Sequence, residues 1–126
     1  MSRWAAHKYG LNFVQGYDQP GLTTAPHTIH TGSNSGYQAL NLAYLFGARH
    51  IVLAGYDYQP TYDMSHWHGD HPTGLNPEQP FEAWRARMPR LAADLAEAGV
   101  QVVNASIETA LTDFPRMPLR EALLCR

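Results

Sequence analysis

The chain has 126 residues, 44% hydrophobic and 16% charged, and its nine Lys and Arg against eleven Asp and Glu leave a formal net charge of −2. Domains usually hold roughly 100 to 200 residues, so this length predicts one domain over residues 1–126 with a single core. The charge balance excludes the broad basic surface of a nucleic-acid binder, and the lone Cys125 excludes a disulfide framework or a CxxC metal site.

The opening stretch, MSRWAAHKYG, has no apolar leader core, and no apolar run in the chain reaches the roughly 18 residues of a membrane span. The expectation is a soluble cytoplasmic protein without membrane partners. Ser2 to Tyr9 read as the last turns of a helix stopped by Gly10, and Leu11 to Val14 as a short strand. Gln15 to Ser35 are mostly Gly, Pro, Thr, His, Asn and Ser. Pro20 and Pro26 exclude regular structure there, and only HTIH, His27 to His30, suits a brief strand. Ser33 or Asn34 then caps a helix over Gly36 to Phe46, which Gly47 ends. Its Ala39, Leu40, Leu42, Ala43, Leu45 and Phe46 cover most of the circumference, predicting a largely buried helix.

HIVLAG, His50 to Gly55, is a continuous aliphatic run of the kind found in a central parallel strand covered on both faces. Tyr56 to Gln79 are rich in His, Asp, Tyr, Gly and Pro, and an irregular stretch of that length points to a functional loop. Pro80 and Phe81 open the clearest helix, with Phe81, Trp84, Met88, Leu91 and Leu95 at three- and four-residue spacing until Gly99 and a kink at Pro89. Phe81 and Trp84 are assigned to the core, and Arg85, Arg87 and Arg90 to solvated surface. VQVVNAS, Val100 to Ser106, is the next strand, and SIETAL, Ser106 to Leu111, a short capped helical turn. Strands alternating with helices at these spacings predict an α/β fold, a mostly parallel sheet flanked by helices with right-handed crossovers.

Two constellations carry chemistry. In TGSNSG, the small residues Thr31, Gly32, Ser33, Asn34, Ser35 and Gly36 precede a helix whose first N–H groups lack partners and whose dipole favours an anion. The stretch is neither GxxxxGK[ST] nor GxGxxG, so no resident cofactor is expected. Ser and Asn at that place also serve simply as a cap. The next strand end supplies Tyr56, Asp57 and Tyr58, with Tyr62 further on, and ligands of open α/β sheets lie beyond the carboxyl ends of strands. Together the two signals predict a pocket for a small phosphate-containing ligand.

The second constellation is HWHGDH. His66, His68, Asp70 and His71 match the HxHxDH pattern with which metallo-β-lactamase-fold hydrolases hold two zinc ions. That fold takes further histidines from later in its chain, whereas all seven here lie at or before His71. A smaller zinc site joining these side chains to His27 or His30 stays open as an alternative. So does a packing role, with His66 and Trp67 holding the loop down and Asp70 capping it. A third reading gives His66, His68 and His71 an acid–base or anion-contacting role over the phosphate site.

HTGSNSGYQALNLAYLFGARHIVLAGYDYQ followed by HWHGD resembles a group of small bacteriophage and prophage proteins of unassigned role, from about Tyr9 to the C-terminus. More distantly, the order of Ser-Gly, apolar helix, Gly, strand and Gly-aromatic-Asp resembles the Rossmann-like domain of bacterial sialyltransferases, motility accessory factors and archaeal hydroxymethylpterin pyrophosphokinases. In the sialyltransferases the Ser-Gly pair contacts the CMP donor, tyrosines after the next strand steady the departing phosphate, and a downstream histidine is the base. The resemblance places these roles at Ser35 and Gly36, at Tyr58 or Tyr62, and at one of His66, His68 and His71. Those enzymes carry an N-terminal half with its own donor contacts, and almost nothing precedes Tyr9 here. The resemblance therefore implies a Rossmann-like domain lacking most of an N-terminal half, completed by a homo-oligomer or serving binding without turnover.

The leading expectation is a phage-type protein that binds a nucleotide and sequesters a nucleotide signal of host immunity, a binding protein rather than an enzyme. One alternative is a glycosyl- or nucleotidyl-transferase or a phosphodiesterase with a loop histidine as base. The other is a zinc-dependent hydrolase built on His66, His68, Asp70 and His71.

Overall fold

Helix α1 (Arg3–Tyr9) ends where the sequence places Gly10: Gly10 N–H bonds to the His7 carbonyl at 3.4 Å and Leu11 N–H to that of Ala6 at 2.9 Å, the paired bonds of a Schellman end. The computed structural model describes residues 3–60 and 80–125. Leu11 to Val14 do not form the expected strand. Phe13 instead lies under the Arg3 guanidinium, 5.4 Å from its ring centre, and pairing begins one residue after Val14. Strand β1 (Gln15–Tyr17) runs parallel to β2 (Thr28–His30), with Gln15 opposite Thr28 and Tyr17 opposite His30.

Helix α2 (Ser35–Leu45) follows β2 and finishes with the same paired bonds at Gly47. It buries one face rather than most of its circumference. Tyr37, Leu40 and Asn41 are fully enclosed, while Ala39 is exposed and Phe46 is 84% exposed. Two of those three buried residues are polar, and both are satisfied. The Tyr37 hydroxyl accepts from Gly21 N–H at 2.6 Å and donates to the Gly21 carbonyl at 3.2 Å. Asn41 Oδ1 accepts from His30 N–H at 2.9 Å, and its Nδ2 donates to the Thr23 carbonyl at 3.1 Å. Buried polar groups persist where they are hydrogen-bonded, and these bonds pin the loop between β1 and β2 onto α2.

Strand β3 (His50–Leu53) pairs in parallel with β4 (Gln101–Asn104), His50 opposite Gln101 and Leu53 opposite Asn104. The parallel direction matches expectation and the sheet does not. Among the described residues there are two separate two-stranded sheets, β3 pairs with β4 alone, and Ile51 and Val52 are only half-buried.

The helix expected from Phe81 to Gly99 is two helices, α3 (Phe81–Arg85) and α4 (Met88–Glu97). Pro89 lacks an N–H and cannot continue a helix, so the chain breaks before it and uses it in the first turn of α4, where that N–H would be unpaired anyway. Met88, Leu91 and Leu95 are fully buried, but Phe81 and Trp84 are half-buried rather than core. SIETAL forms no helical turn. Thr109 Oγ1 accepts from Leu111 N–H at 3.1 Å and donates to the Tyr56 carbonyl at 2.6 Å, bonds that draw the backbone out of a helix. After an isolated bridge between Asn104 and Arg116, a short helix the sequence reading missed, α5 (Leu119–Ala122), closes the chain behind Pro118.

The core lies between α2, α4 and the β3–β4 sheet, with Tyr37, Leu40, Leu53, Met88, Leu91, Leu95, Val100, Val102, Leu111 and Phe114 in one cluster. The fold is mixed α/β, and among the described residues no helix is long and apolar enough to cross a membrane.

Candidate functional site

The site begins at the carboxyl end of β2. Asn34 N–H closes a turn onto the Thr31 carbonyl at 3.1 Å, and the two central residues, Gly32 and Ser33, have φ of 51° and 60°. Two successive positive φ values are those of a type I′ turn, tolerated by Gly and strained for Ser. Gly32 is also sterically required, since a Cβ there would lie 2.1 Å from the Tyr37 ring. The turn delivers Asn34 to the cap of α2. Of the two capping candidates it is Asn34 whose side chain does the work: Oδ1 accepts from Tyr37 N–H at 2.8 Å, and Nδ2 donates to the Gly32 carbonyl at 3.0 Å.

The carboxyl end of β3 comes to the same point. The Tyr58 hydroxyl donates to Asn34 Oδ1 at 2.5 Å, and the Tyr56 hydroxyl to the Gly36 carbonyl at 3.2 Å. Their rings stack with centres 6.1 Å apart and planes 21° apart. Gly36 is what lets them so close, because a Cβ there would sit 2.8 Å from the Tyr58 oxygen. The structure thus brings Thr31 to Gly36 together with Tyr56 and Tyr58 at the positive end of the eleven-residue α2. Burial holds both phenols above their ordinary value, reinforced at Tyr58 by the neighbouring Tyr56, so each stays a neutral donor at neutral pH.

A polar group after β4 supports the tyrosines. Tyr56 N–H donates to Ser106 Oγ at 2.7 Å, its carbonyl accepts from Thr109 Oγ1, and Ala110 N–H reaches the Asp57 carbonyl at 2.8 Å. Buried Asn104 ties this group together, accepting Ser106 N–H at 3.0 Å and donating to Thr109 Oγ1 at 3.1 Å. The sequence reading passed over Asn104, Ser106 and Thr109. Their signal was available, since polar residues directly after the apolar VQVV occupy a strand's carboxyl end as GYDY does.

The three arginines assigned to solvated surface are all engaged. Arg85 Nη1 donates to the Tyr58 carbonyl at 2.7 Å, Arg90 Nε lies 2.9 Å from Asp94, and Arg87 pairs with Asp18 through Nη1 and Nη2. Asp18 sits just past β1, where the misplaced strand hid it, and the last carbonyl of β1, that of Tyr17, accepts Thr31 N–H at 2.9 Å. The Arg87 hydrogen bond, chiefly, holds the Asp18 carboxyl below its usual range. The carboxyl ends of β1, β2 and β3 therefore converge on one turn.

Tyr62, His66, His68, Asp70 and His71 lie outside the described residues. Of the histidines considered as their zinc partners, His30 Nδ1 lies 3.0 Å from the Gly21 carbonyl, and His27 is at a turn with φ 63°. Among the described residues no three His, Cys, Asp or Glu side chains gather as a metal site would require. Trp84 stands edge-on to Tyr58 at 6.3 Å, and its buried indole nitrogen has no hydrogen-bond partner among the described residues.

No protein-family model matches the chain, and neither the curated proteins nor the solved structures contain a significant match to it.

Proposed function

We propose that this chain binds a small phosphate-containing nucleotide at the N-terminus of α2, with the phosphate against Thr31 to Gly36 and the tyrosines at 56 and 58 beside it. One observation carries the reading: the carboxyl ends of parallel strands from both sheets meet at the Asn34 cap. Open α/β proteins place ligands outside the carboxyl ends of their strands, and a helix N-terminus favours an anion there. Small residues at Gly32, Ser33, Ser35 and Gly36 suit a close backbone approach. A Rossmann-like domain of phage type is the fold relationship this reading adopts. Sequestration of a nucleotide immune signal in the host cytoplasm is its biological use. The working unit is a homo-oligomer, and side chains such as Phe46, 84% exposed, and Ile107, 91% exposed, are the apolar surface a second copy would cover.

The test is a thermal-shift screen of the full chain against mono-, di- and cyclic nucleotides, CMP- and UDP-sugars and zinc, with the recovered ligand identified by mass spectrometry. A ligand bound to the native state raises Tm by mass action. A nucleotide that raises Tm and returns intact supports sequestration. One that returns chemically changed points to the transferase or phosphodiesterase, and a shift with zinc alone contradicts the proposal.

A further inference from the structure

The amino-terminal segment carries chemistry that the candidate site does not use. In α1 Ala6 alone is buried. Trp4 is 67% exposed and Tyr9 64%, and Leu11, just beyond the helix, is exposed as well. The Lys8 ammonium draws the two rings into one patch, 4.7 Å from the centre of the Trp4 ring and 5.3 Å from that of Tyr9. Arg3 supplies a second cation beside it on the helix. Among the described residues neither cation has a carboxylate partner, and all eleven acidic residues of the chain lie at or beyond Asp18. A helix of seven residues is too short to hold its shape in water unaided, and one buried alanine adds little, so α1 gains from a surface that covers it.

We propose that this patch is a peripheral contact with an anionic bilayer: Trp4, Tyr9 and Leu11 enter the headgroup region, and Arg3 and Lys8 meet lipid phosphates. Tryptophan and tyrosine rings favour that boundary, and long cationic side chains lay their stems on apolar neighbours while the charge stays with water or phosphate. Charge selects an anionic surface, because the face is free of acids. Screening over about 8 Å at physiological salt weakens repulsion from distant carboxylates. With two cations the contact is weak and reversible. A nucleic-acid strand fits less well, since it leaves Leu11 uncovered and finds a face of each ring already against Lys8. An acidic protein matches the charge but needs a groove shaped to a helix exposed on nearly every side, whereas a fluid bilayer adapts to one. The sequence reading expected no membrane partner because it looked for a span, and a surface contact needs none. The contact is independent of nucleotide binding.

The test is cosedimentation of the full chain with vesicles of phosphatidylcholine alone and of phosphatidylcholine and phosphatidylglycerol in equal parts. Binding is expected to the mixed vesicles only, and to weaken as salt is added. Lys8→Gln should bind them about fivefold more weakly. Arg120→Gln makes the same change in net charge at an exposed position of α5 and should match wild type. Tryptophan emission should shift to the blue on the mixed vesicles, and Trp4→Phe should remove that shift while retaining most of the binding. Trp4, Lys8 and Arg120 are all exposed, so the variants are expected to keep the fold. Failure to sediment with the mixed vesicles overturns the proposal. So does an equal loss in Lys8→Gln and Arg120→Gln, or a blue shift that persists in Trp4→Phe. An oligomer that ignores vesicles and dissociates in Lys8→Gln overturns it in favour of a second copy, and binding of single-stranded DNA in place of vesicles overturns it in favour of a nucleic acid.

Discussion

The two sheets share a plan, two short parallel strands apiece, and are held by opposite means. In β3–β4 three of the four residues of β4 are buried, and Leu53 and Val102 share one core cluster with Met88, Leu91 and Leu95 of α4. In β1–β2 only Ile29 is buried, and both Gly16 and Tyr17 are exposed. What secures that second sheet is a set of polar side chains: Tyr37 and Asn41 from α2, and Asp94 from α4, which accepts Leu22 N–H at 2.8 Å. One half of the site therefore stands on an apolar core and the other on hydrogen bonds. Apolar burial is tolerant of direction, whereas these hydrogen bonds fix the Thr31–Asn34 turn relative to α2.

The largest effect expected from that contrast is in the core. Leu95→Ala removes a fully buried side chain of α4 and is predicted to cost about 2–5 kcal/mol, read from urea unfolding. A loss well below that range would mean that β3–β4 and α4 are not the stabilising half. Tyr37→Phe comes next. It leaves the Gly21 N–H without its buried partner and the Gly21 carbonyl with His30 Nδ1 alone, for a cost of about 1–3 kcal/mol. Native-state hydrogen exchange is expected to quicken at Gly21 to Thr23 and not at Val102 and Val103; equal quickening in both sheets would erase the distinction between them.

The third effect is set by pH. The folded value of Tyr58 is raised above the ordinary 10, chiefly by burial, so the unfolded chain ionises first as pH rises. The stability this contributes is complete below pH 10 and declines above it, and Tyr58→Phe should soften the alkaline fall of Tm. An unchanged alkaline limb in that variant would contradict the buried hydroxyl. Asp18→Asn is expected to do least. The carboxyl is exposed and its folded value lies below the ordinary 3.8, so its contribution is present above that pH and fades as pH falls. The variant should match wild type in high salt at neutral pH and differ from it only slightly in low salt.

Much of the order of elements was legible from punctuation. Gly10, Gly47 and Gly99 each end a helix as read, TIH within HTIH and HIVL within HIVLAG are strands, and the helix after TGSNSG is capped from within that stretch. The misreadings have a common physical source in contacts distant along the chain. Leu11 to Val14 look like a strand, but Phe13 meets Arg3 and the register is set by Thr28 to His30. HIVL reads as central because its composition is uniform, yet composition does not say which strands lie beside it. Pro89 predicts a kink, yet a proline that can kink a helix can equally start a new one, and here it lies in the first turn of α4. At the site, TGSNSG and GYDY were each visible, and their meeting was inferable from the strand-end rule. That Asn34, not Ser33, is the cap and that Asn104, Ser106 and Thr109 clamp Tyr56 depend on hydrogen bonds between residues up to 53 positions apart.

The most direct test of the account is amide chemical-shift mapping on 15N-labelled protein titrated with CMP and with the best nucleotide from the thermal-shift screen. Binding at the N-terminus of α2 predicts saturable shifts concentrated at Thr31 to Tyr37 and at Tyr56 to Tyr58, with α5 and the far end of α4 unmoved. Saturable shifts clustered away from the Asn34 turn, or none with any nucleotide in the panel, would contradict it.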